Sequence, residues 1–198
     1  MEKAIVQNIK QVLLIVFSVV LGLYLSERIE ERKNEKEAAK LLAKVKSELN
    51  ENKKLLDVWV PYHREIVRSL DSLSQKEFFL EDFIEDKSAL YQVVTKGTIL
   101  SDMPSNDDWD IAKSHPLIVN FEYDELLILS KVYNQQKISF ESLPNLIELV
   151  LSPDFNSRVQ ARPNLQLFRD KLNDIASRET QLIDYYNEAD EILNFQSI

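Results

Sequence analysis

The chain has 198 residues, of which 44% are apolar and 29% charged, with a formal net charge of −9. This combination excludes bulk disorder, which requires low hydrophobicity together with high net charge, and the acidic balance argues against nucleic-acid binding. Because there is no cysteine and there are only 2 glycines, disulfides, thiolate metal sites and glycine-rich phosphate loops are not expected, and a turn-rich all-β fold is disfavoured.

The first strong signal along the chain is the uncharged apolar run Val12–Leu25. It is shorter than the roughly 20 residues that cross a hydrocarbon layer, although apolar residues before it extend its character. Lys10 can snorkel to the headgroups, and Tyr24 suits the interfacial aromatic belt. We therefore predict a membrane anchor at residues 1–27, with the lipid bilayer as the partner of Val12–Leu25, and a helical soluble domain at residues 28–198.

Two alternatives compete with an anchor. A cleaved signal peptide needs small residues at its cleavage site, and in the best candidate, Tyr24-Leu25-Ser26, a tyrosine stands where a small residue belongs. A buried core helix needs equally apolar partners around it, and the rest of the sequence offers none. Lysine and arginine residues on the two sides of the run differ by about one charge, which slightly favours a cytoplasmic C-terminal part.

A long helix is predicted after the run, since neither glycine nor proline interrupts the chain between Leu23 and Val60. Its first turns are highly charged, which is typical of a solvated helix. Apolar residues then recur at steps of three and four and predict one buried stripe: Ala38, Leu41, Val45, Leu49, Asn52, Leu56 and Trp59. Pro61 allows a kink or a break, and Tyr62, Ile66, Leu70 and Leu73 continue the stripe.

The last segment has the clearest periodicity. Pro163 suits a first helical turn, and after it one stripe repeats at steps of three and four with a single charged member, Glu179. The stripe comprises Leu165, Phe168, Leu172, Ile175, Glu179, Leu182, Tyr186, Ala189 and Leu193. We predict that residues 163–196 pack antiparallel against residues 30–60, which makes the fold class all-α: an N-terminal transmembrane helix continuing into a helical bundle.

Shorter helices are predicted between these two. They cover Lys76–Asp86, Lys87–Lys96, Asp107–Lys113 and Asp124–Gln136, with Tyr91–Thr95 as a possible strand. A further helix begins near Pro144, and Ser142 is its expected N-cap.

Signals for catalysis are weak throughout. His63 and His115 are the only histidines, and neither lies in a metal-binding spacing, so each is predicted to be a surface or hydrogen-bonded helix residue. The cluster Asn106–Asp110 lacks the glycine of a calcium loop and suits a helix start. Glu48 and Glu51 lack the histidine partners of a di-metal bundle. We therefore predict no catalytic, cofactor-binding or metal site.

Three pieces of the first third of the chain resemble a family of uncharacterised single-pass bacterial membrane proteins, a domain of unknown function. They are Val12–Leu25, the charged Glu30-Glu31-Arg32-Lys33 exit and the Ser47-Glu48-Leu49-Asn50-Glu51-Asn52 segment. The resemblance implies an N-terminal anchor, a charged helix and a helical domain, and it implies no reaction. It favours an extracytoplasmic helical domain, and our prediction follows it.

The function predicted from these observations is non-enzymatic: a membrane-anchored helical interaction or accessory protein, with a protein partner or a homo-oligomer and no nucleic acid. The alternative is a sensory or small-ligand-binding helical bundle that signals through the anchor helix. An enzyme with an unfamiliar site is a third possibility, and His63 and the Asp107–Asp110 cluster would be its first candidate residues.

Overall fold

A computed structural model describes the backbone of residues 2–195 and, within it, the side chains of Lys10 and residues 13–193. The chain is 82% helical, and the described part contains six α-helices and no strand. The helices are α1 (Glu2–Leu73), α2 (Glu77–Glu85), α3 (Asp107–Ser114), α4 (Tyr123–Phe140), α5 (Leu143–Leu151) and α6 (Ala161–Phe195). Two 3-10 helices, Lys87–Gln92 and Pro116–Asn120, connect them.

The predicted antiparallel pair is confirmed, and it is the axis of the fold. Lys46 on α1 donates to the backbone carbonyl of Leu193, whereas further along α1 Asp71 lies 3.3 Å from Arg169 of α6. Residue numbers rise on one helix as they fall on the other, so the two helices run in opposite directions. All nine residues of the predicted α6 stripe are buried, at 2% exposure or less.

Helix α1 continues without a break through Pro61, where the sequence allowed a kink or a break. A proline inside a helix costs about 3 kcal/mol, since it removes one hydrogen bond and its ring crowds the preceding turn. Here the residues on both sides of it are packed: Trp59 and Val60 before it and Tyr62 and His63 after it are all buried. Tertiary packing thus offsets the local cost and keeps the helix intact.

The interior consists of two apolar clusters stacked along α1 and α6. The lower cluster joins α1 from Trp59 onwards to α2, α5 and the first half of α6, and contains the aromatic contacts Phe83–Phe155 and Phe155–Phe168. The upper cluster joins α1 from Ala38 to Val60 with α3, α4 and the second half of α6. Along α6 the lower cluster ends at Ile175 and the upper one begins at Leu182.

The predicted membrane anchor Val12–Leu25 is wrong. In the part of the chain that the structure describes, no helix contains a stretch long and apolar enough to cross a membrane. The uncharged run with described side chains, Leu13–Leu25, is about 20 Å long at 1.5 Å per residue, against about 30 Å of hydrocarbon. The side chains of residues 1–9, 11 and 12, which also belong to the predicted anchor, lie outside those described. The same finding contradicts the predicted single-pass location, on which the predicted extracytoplasmic side depended.

Two local predictions are also corrected. Tyr91–Thr95 forms no strand: the 3-10 helix Lys87–Gln92 covers its start, and a turn at Gly97, with a φ of 70°, follows. Ser142 stands at the N-cap of α5 but its side chain makes no capping bond, and its hydroxyl is buried without a hydrogen-bond partner among the described residues.

Candidate functional site

A buried histidine and a buried glutamate meet across the α1–α6 seam. His63 on α1 and Glu179 on α6 have side chains that are 1% and 0% exposed. The Nδ1 atom of His63 lies 2.7 Å from Oε2 of Glu179, and its Nε2 atom lies 2.6 Å from the backbone carbonyl of Ile99. The charged member of the predicted α6 stripe therefore has a specific partner.

The geometry fixes how many protons the pair carries. A backbone carbonyl only accepts hydrogen bonds, so Nε2 of His63 must carry a proton. The contact between Nδ1 and Glu179 needs a second proton, on the ring or on the carboxyl group. In both arrangements the pair as a whole is neutral, which makes its burial tolerable.

The pair stands at the junction of the two apolar clusters. On α6 it occupies the interval between Ile175 and Leu182, where the lower cluster gives way to the upper one. The second oxygen of Glu179, Oε1, is buried and has no hydrogen-bond partner among the described residues. A polar contact of this kind can fix the register of two long helices, because any slip would leave a buried charged group unpaired.

The same face of α1 holds the loop that follows the first 3-10 helix. The Tyr62 hydroxyl donates to the carbonyl of Thr98 at 3.1 Å and accepts from the amide of Lys96 at 3.0 Å. The Lys96 ammonium lies 5.2 Å from the centre of the Tyr62 ring and 5.4 Å from that of Trp59. With the bond from His63 to Ile99, these contacts tie residues 96–99 to α1.

A second buried polar cluster surrounds Glu48 in the upper half of the molecule. Its carboxylate accepts from the amides of Asp108 at 2.9 Å and Trp109 at 3.3 Å, in the first turn of α3. It also accepts from the hydroxyls of Ser105 and Tyr133. Helix α3 is therefore capped by a carboxylate from α1, which satisfies amides that have no partner within the helix and suits the positive end of its dipole.

Three more buried side chains extend this cluster towards α6. The Gln136 side-chain oxygen accepts from Tyr186 at 2.7 Å and from Asn52 at 3.3 Å. Burial, together with the hydrogen bond to Glu48 and the charge of Glu48, raises the pKa of Tyr133 far above its ordinary value. Burial and the charge of Glu48 also raise the pKa of Tyr186. Both phenols therefore stay protonated in the folded protein.

An open cleft of about 540 Å³ lies on the surface beside this cluster, between the loop at Met103 and helices α3 and α4. The rings of Trp109 and Tyr133 stack there with centroids 5.4 Å apart and an interplanar angle of 8°. Lys113 lies 5.6 Å above the Trp109 ring and pairs with Asp110 at 2.6 Å. The cleft thus combines an aromatic wall with charged groups of both signs at its rim.

The other residues singled out by the sequence are dispersed. His115 is exposed and caps the second 3-10 helix, where its Nδ1 accepts from the amide of Leu117 at 3.2 Å. Glu51 is exposed although Glu48 is buried, so the two do not converge. Two arginines of α6 are paired with carboxylates, Arg162 with Glu77 and Arg169 with Asp71. Within the described residues, no three acidic or histidine side chains lie together as a metal-binding group.

Sequence reasoning missed both buried polar clusters. The available signal was the presence of Glu179 and Asn52 inside otherwise apolar stripes, because a polar residue at a core position needs a partner. The partners are far away in the chain: His63 is 116 residues from Glu179 and Ser105 is 53 from Asn52.

Comparisons of the chain with protein-family models, with curated proteins and with solved structures find no significant match. The resemblance to the family of single-pass bacterial proteins therefore stays a prediction.

Proposed function

We propose that the protein is a non-enzymatic helical interaction module that joins other protein chains through the first part of α1. We call residues 13–33 the arm and the packed residues from Ala38 onwards the body. Every described side chain of the arm is exposed, whereas Ala38 is buried against the upper cluster. Among the described residues, the arm is thus a helix without a packing partner inside its own chain.

The observation that carries this proposal is the apolar surface of the arm. Its large apolar side chains are each 42–69% exposed: Leu13, Leu14, Ile15, Val16, Phe17, Val19, Val20, Leu21, Leu23, Tyr24, Leu25 and Ile29. The accessible lateral surface of residues 13–25 is on the order of 800 Å², from the dimensions of an α-helix. The largest apolar patch of a typical monomer covers about 300–600 Å², and larger ones mark interaction sites.

The buried polar clusters support a structural use of the body. His63 and Glu179 are 1% and 0% exposed, so no substrate reaches them in this conformation. Glu48 already accepts hydrogen bonds from the four groups around it. These carboxylates and rings hold α1, α3, α4 and α6 together, and that role accounts for their burial.

Capture from native cells tests the proposal. The tagged full chain is compared with an arm variant, Ile15→Lys with Phe17→Lys, which places a charge on each side of the arm, and with a body variant of the same charge, Leu151→Lys with Val159→Lys. We expect the parent and the body variant to retain the same protein in stoichiometric amounts, and the arm variant to lose it. Leu151 and Val159 are 73% and 81% exposed, so their substitution leaves the core intact. Equal retention by all three, or by none, contradicts the proposal.

A second function, a small-ligand-binding bundle, is favoured by the cleft beside Trp109. A volume of about 540 Å³ falls within the range of small-molecule sites, and an aromatic wall with a few polar groups is their common lining. A ligand bound in the cleft would change the fluorescence of Trp109, which lines it. The matched control is Trp59, which is buried near His63 and away from the cleft. A ligand-induced change that survives Trp109→Phe but disappears in Trp59→Phe would contradict binding in the cleft.

A further inference from the structure

One face of the arm has nearly the same sequence in both directions. At steps of three and four it carries Ile15, Ser18, Gly22, Ser26 and Ile29, which we call the arm seam. Positions whose numbers add up to 44 match each other: isoleucines at 15 and 29, serines at 18 and 26, and leucines at 21 and 23 next to the seam. Gly22 is the centre of this symmetry.

The fold of the chain itself does not require a glycine at position 22. A Cβ atom built there meets nothing within 4 Å, and its φ lies outside the left-handed region. A glycine inside a helix weakens it, because it gains freedom in the unfolded chain. Because glycine has no Cβ atom, it allows another backbone to approach an open helix surface closely, and no other residue does.

We infer that the arm pairs with the arm of a second copy of this chain, antiparallel and with the two helices closest at Gly22. An interface between identical chains with a two-fold axis uses the same patch on both, so each residue i faces the residue j of the other copy. A seam that is symmetric about Gly22 satisfies this condition in the antiparallel direction: Ile15 faces Ile29 of the other copy and Ser18 faces Ser26. The inference rests on the proposed interaction role and names its partner.

The antiparallel direction also separates the bodies. Ala38 is 16 residues from Gly22, which is about 24 Å along a helix, so the bodies begin about 48 Å apart on opposite sides of the crossing. Each chain has a net charge of −9, and a Debye length of about 8 Å screens their repulsion at that distance. A parallel pair would instead place the two acidic bodies side by side.

The area is sufficient for a reversible dimer. One face of residues 15–29 offers on the order of 500 Å² of accessible surface per copy, or about 1,000 Å² in total, at the lower limit of specific interfaces. The pairing should therefore depend on protein concentration.

Cysteine cross-linking of the full chain tests the pairing, since the sequence contains no cysteine of its own. Ser18→Cys and Ser26→Cys proteins are mixed and oxidised mildly with copper–phenanthroline. We expect the mixed disulfide to form well above either homodimer, because the antiparallel pair brings position 18 to position 26. The matched control mixes Val20→Cys with Tyr24→Cys, whose numbers also add up to 44 but whose side chains lie on the opposite side of the arm; this mixture should not cross-link.

Sedimentation equilibrium of the same full chain supplies the second measurement. Gly22→Leu should raise the dimer dissociation constant at least tenfold while it increases helix content, and Val20→Leu should leave the constant unchanged. Any of three results overturns the inference. The parent stays monomeric, the main cross-linked product is the Ser18→Cys homodisulfide, or the arm binds lipid vesicles and the mixed disulfide does not form. If the chain is monomeric but the capture experiment retains a different protein through the arm, the proposed function stands and only the identity of the partner is wrong.

Discussion

At the scale of single residues, His63 and Glu179 depend on each other. Their contact of 2.7 Å lies fully inside the protein, where an ionised group without a partner is expensive. The pair can be neutral in two proton arrangements. If either residue is removed, the other is left buried without a hydrogen-bond partner for the atom that made the contact. This mutual dependence is measurable with substitutions on both sides.

His63→Ala should lower the free energy of unfolding by about 3–5 kcal/mol, because it leaves the Glu179 carboxyl group buried without its partner. Combining His63→Leu with Glu179→Leu should recover much of that loss, since two apolar side chains of similar volume can fill the junction. Urea unfolding of the single and double variants measures both effects. The control is His115→Ala, at an exposed position. If the losses in His63→Leu alone and in Glu179→Leu alone add up to the loss in the double variant, the two residues are not coupled.

Because the pKa values of Tyr133 and Tyr186 are raised, we expect the free energy of unfolding to fall in alkali. Their folded-state pKa values are raised by burial, so the stability they confer is complete below the pKa of an unfolded tyrosine, about 10. As the pH rises above that value, the unfolded chain loses these protons and the folded chain keeps them. The free energy of unfolding should then fall by about 1.4 kcal/mol per pH unit for each of them.

Urea midpoints between pH 9 and pH 11 test this slope. Tyr186→Phe should make the decline shallower, whereas Tyr91→Phe should not change it, because Tyr91 is 62% exposed. Identical slopes for the two variants would show that the buried phenol does not control alkaline unfolding.

At the scale of the helices, the α1–α6 seam holds the body together. Leu182 is fully buried in the upper cluster. Leu182→Asp should lower the free energy of unfolding by several kcal/mol, because it buries a charge among apolar side chains. Leu167→Asp, at a position on the same helix that is 43% exposed, should cost much less. Thermal melts that are equal for the two variants would contradict the seam.

The periodic stripes allowed this seam to be predicted from sequence. The steps of three and four in residues 165–193 depend only on helix geometry, and every residue they select is buried. At Pro61 the sequence allowed a kink or a break, and the helix continues through it. Propensity measures a local cost, and the aromatic contacts of Trp59 and Tyr62 with the lower cluster offset it.

The polar clusters could not be predicted in the same way. The Asn106–Asp110 cluster correctly indicated the start of α3, but the carboxylate that caps this helix is Glu48, about 60 residues earlier. The periodic stripe of α1 places Glu48 nearer to the buried face than Glu51, but the amides that Glu48 caps are known only once α3 is placed against α1. Long-range pairings of this kind depend on tertiary packing, and a single sequence does not contain that information.

At the scale of the whole molecule, arm and body differ in how they are held. No described residue outside the arm packs against it, and helices of that kind open readily, whereas the body has two apolar clusters. Trypsin should therefore cleave first between Arg28 and Lys36. Lys46, whose ammonium binds the backbone of Leu193, should be cleaved much later.

Mass spectrometry of a dilute digest identifies the first products. Cleavage in the body before the arm would contradict this order. The same digest at high protein concentration should show a protected arm if chains pair there.

The continuity of α1 has one more consequence. From Glu2 to Leu73 it is a single helix of 72 residues, about 108 Å long. Each residue of a helix turns the chain by about 100° about the helix axis. The rotation of the arm about that axis, relative to the body, is therefore set by the number of residues between them. Adding one residue near Lys33 would swing the outer surface a quarter-turn or more away, while adding seven would restore nearly the original direction. The number of residues between the arm and the body therefore sets the direction in which the apolar surface of the arm faces.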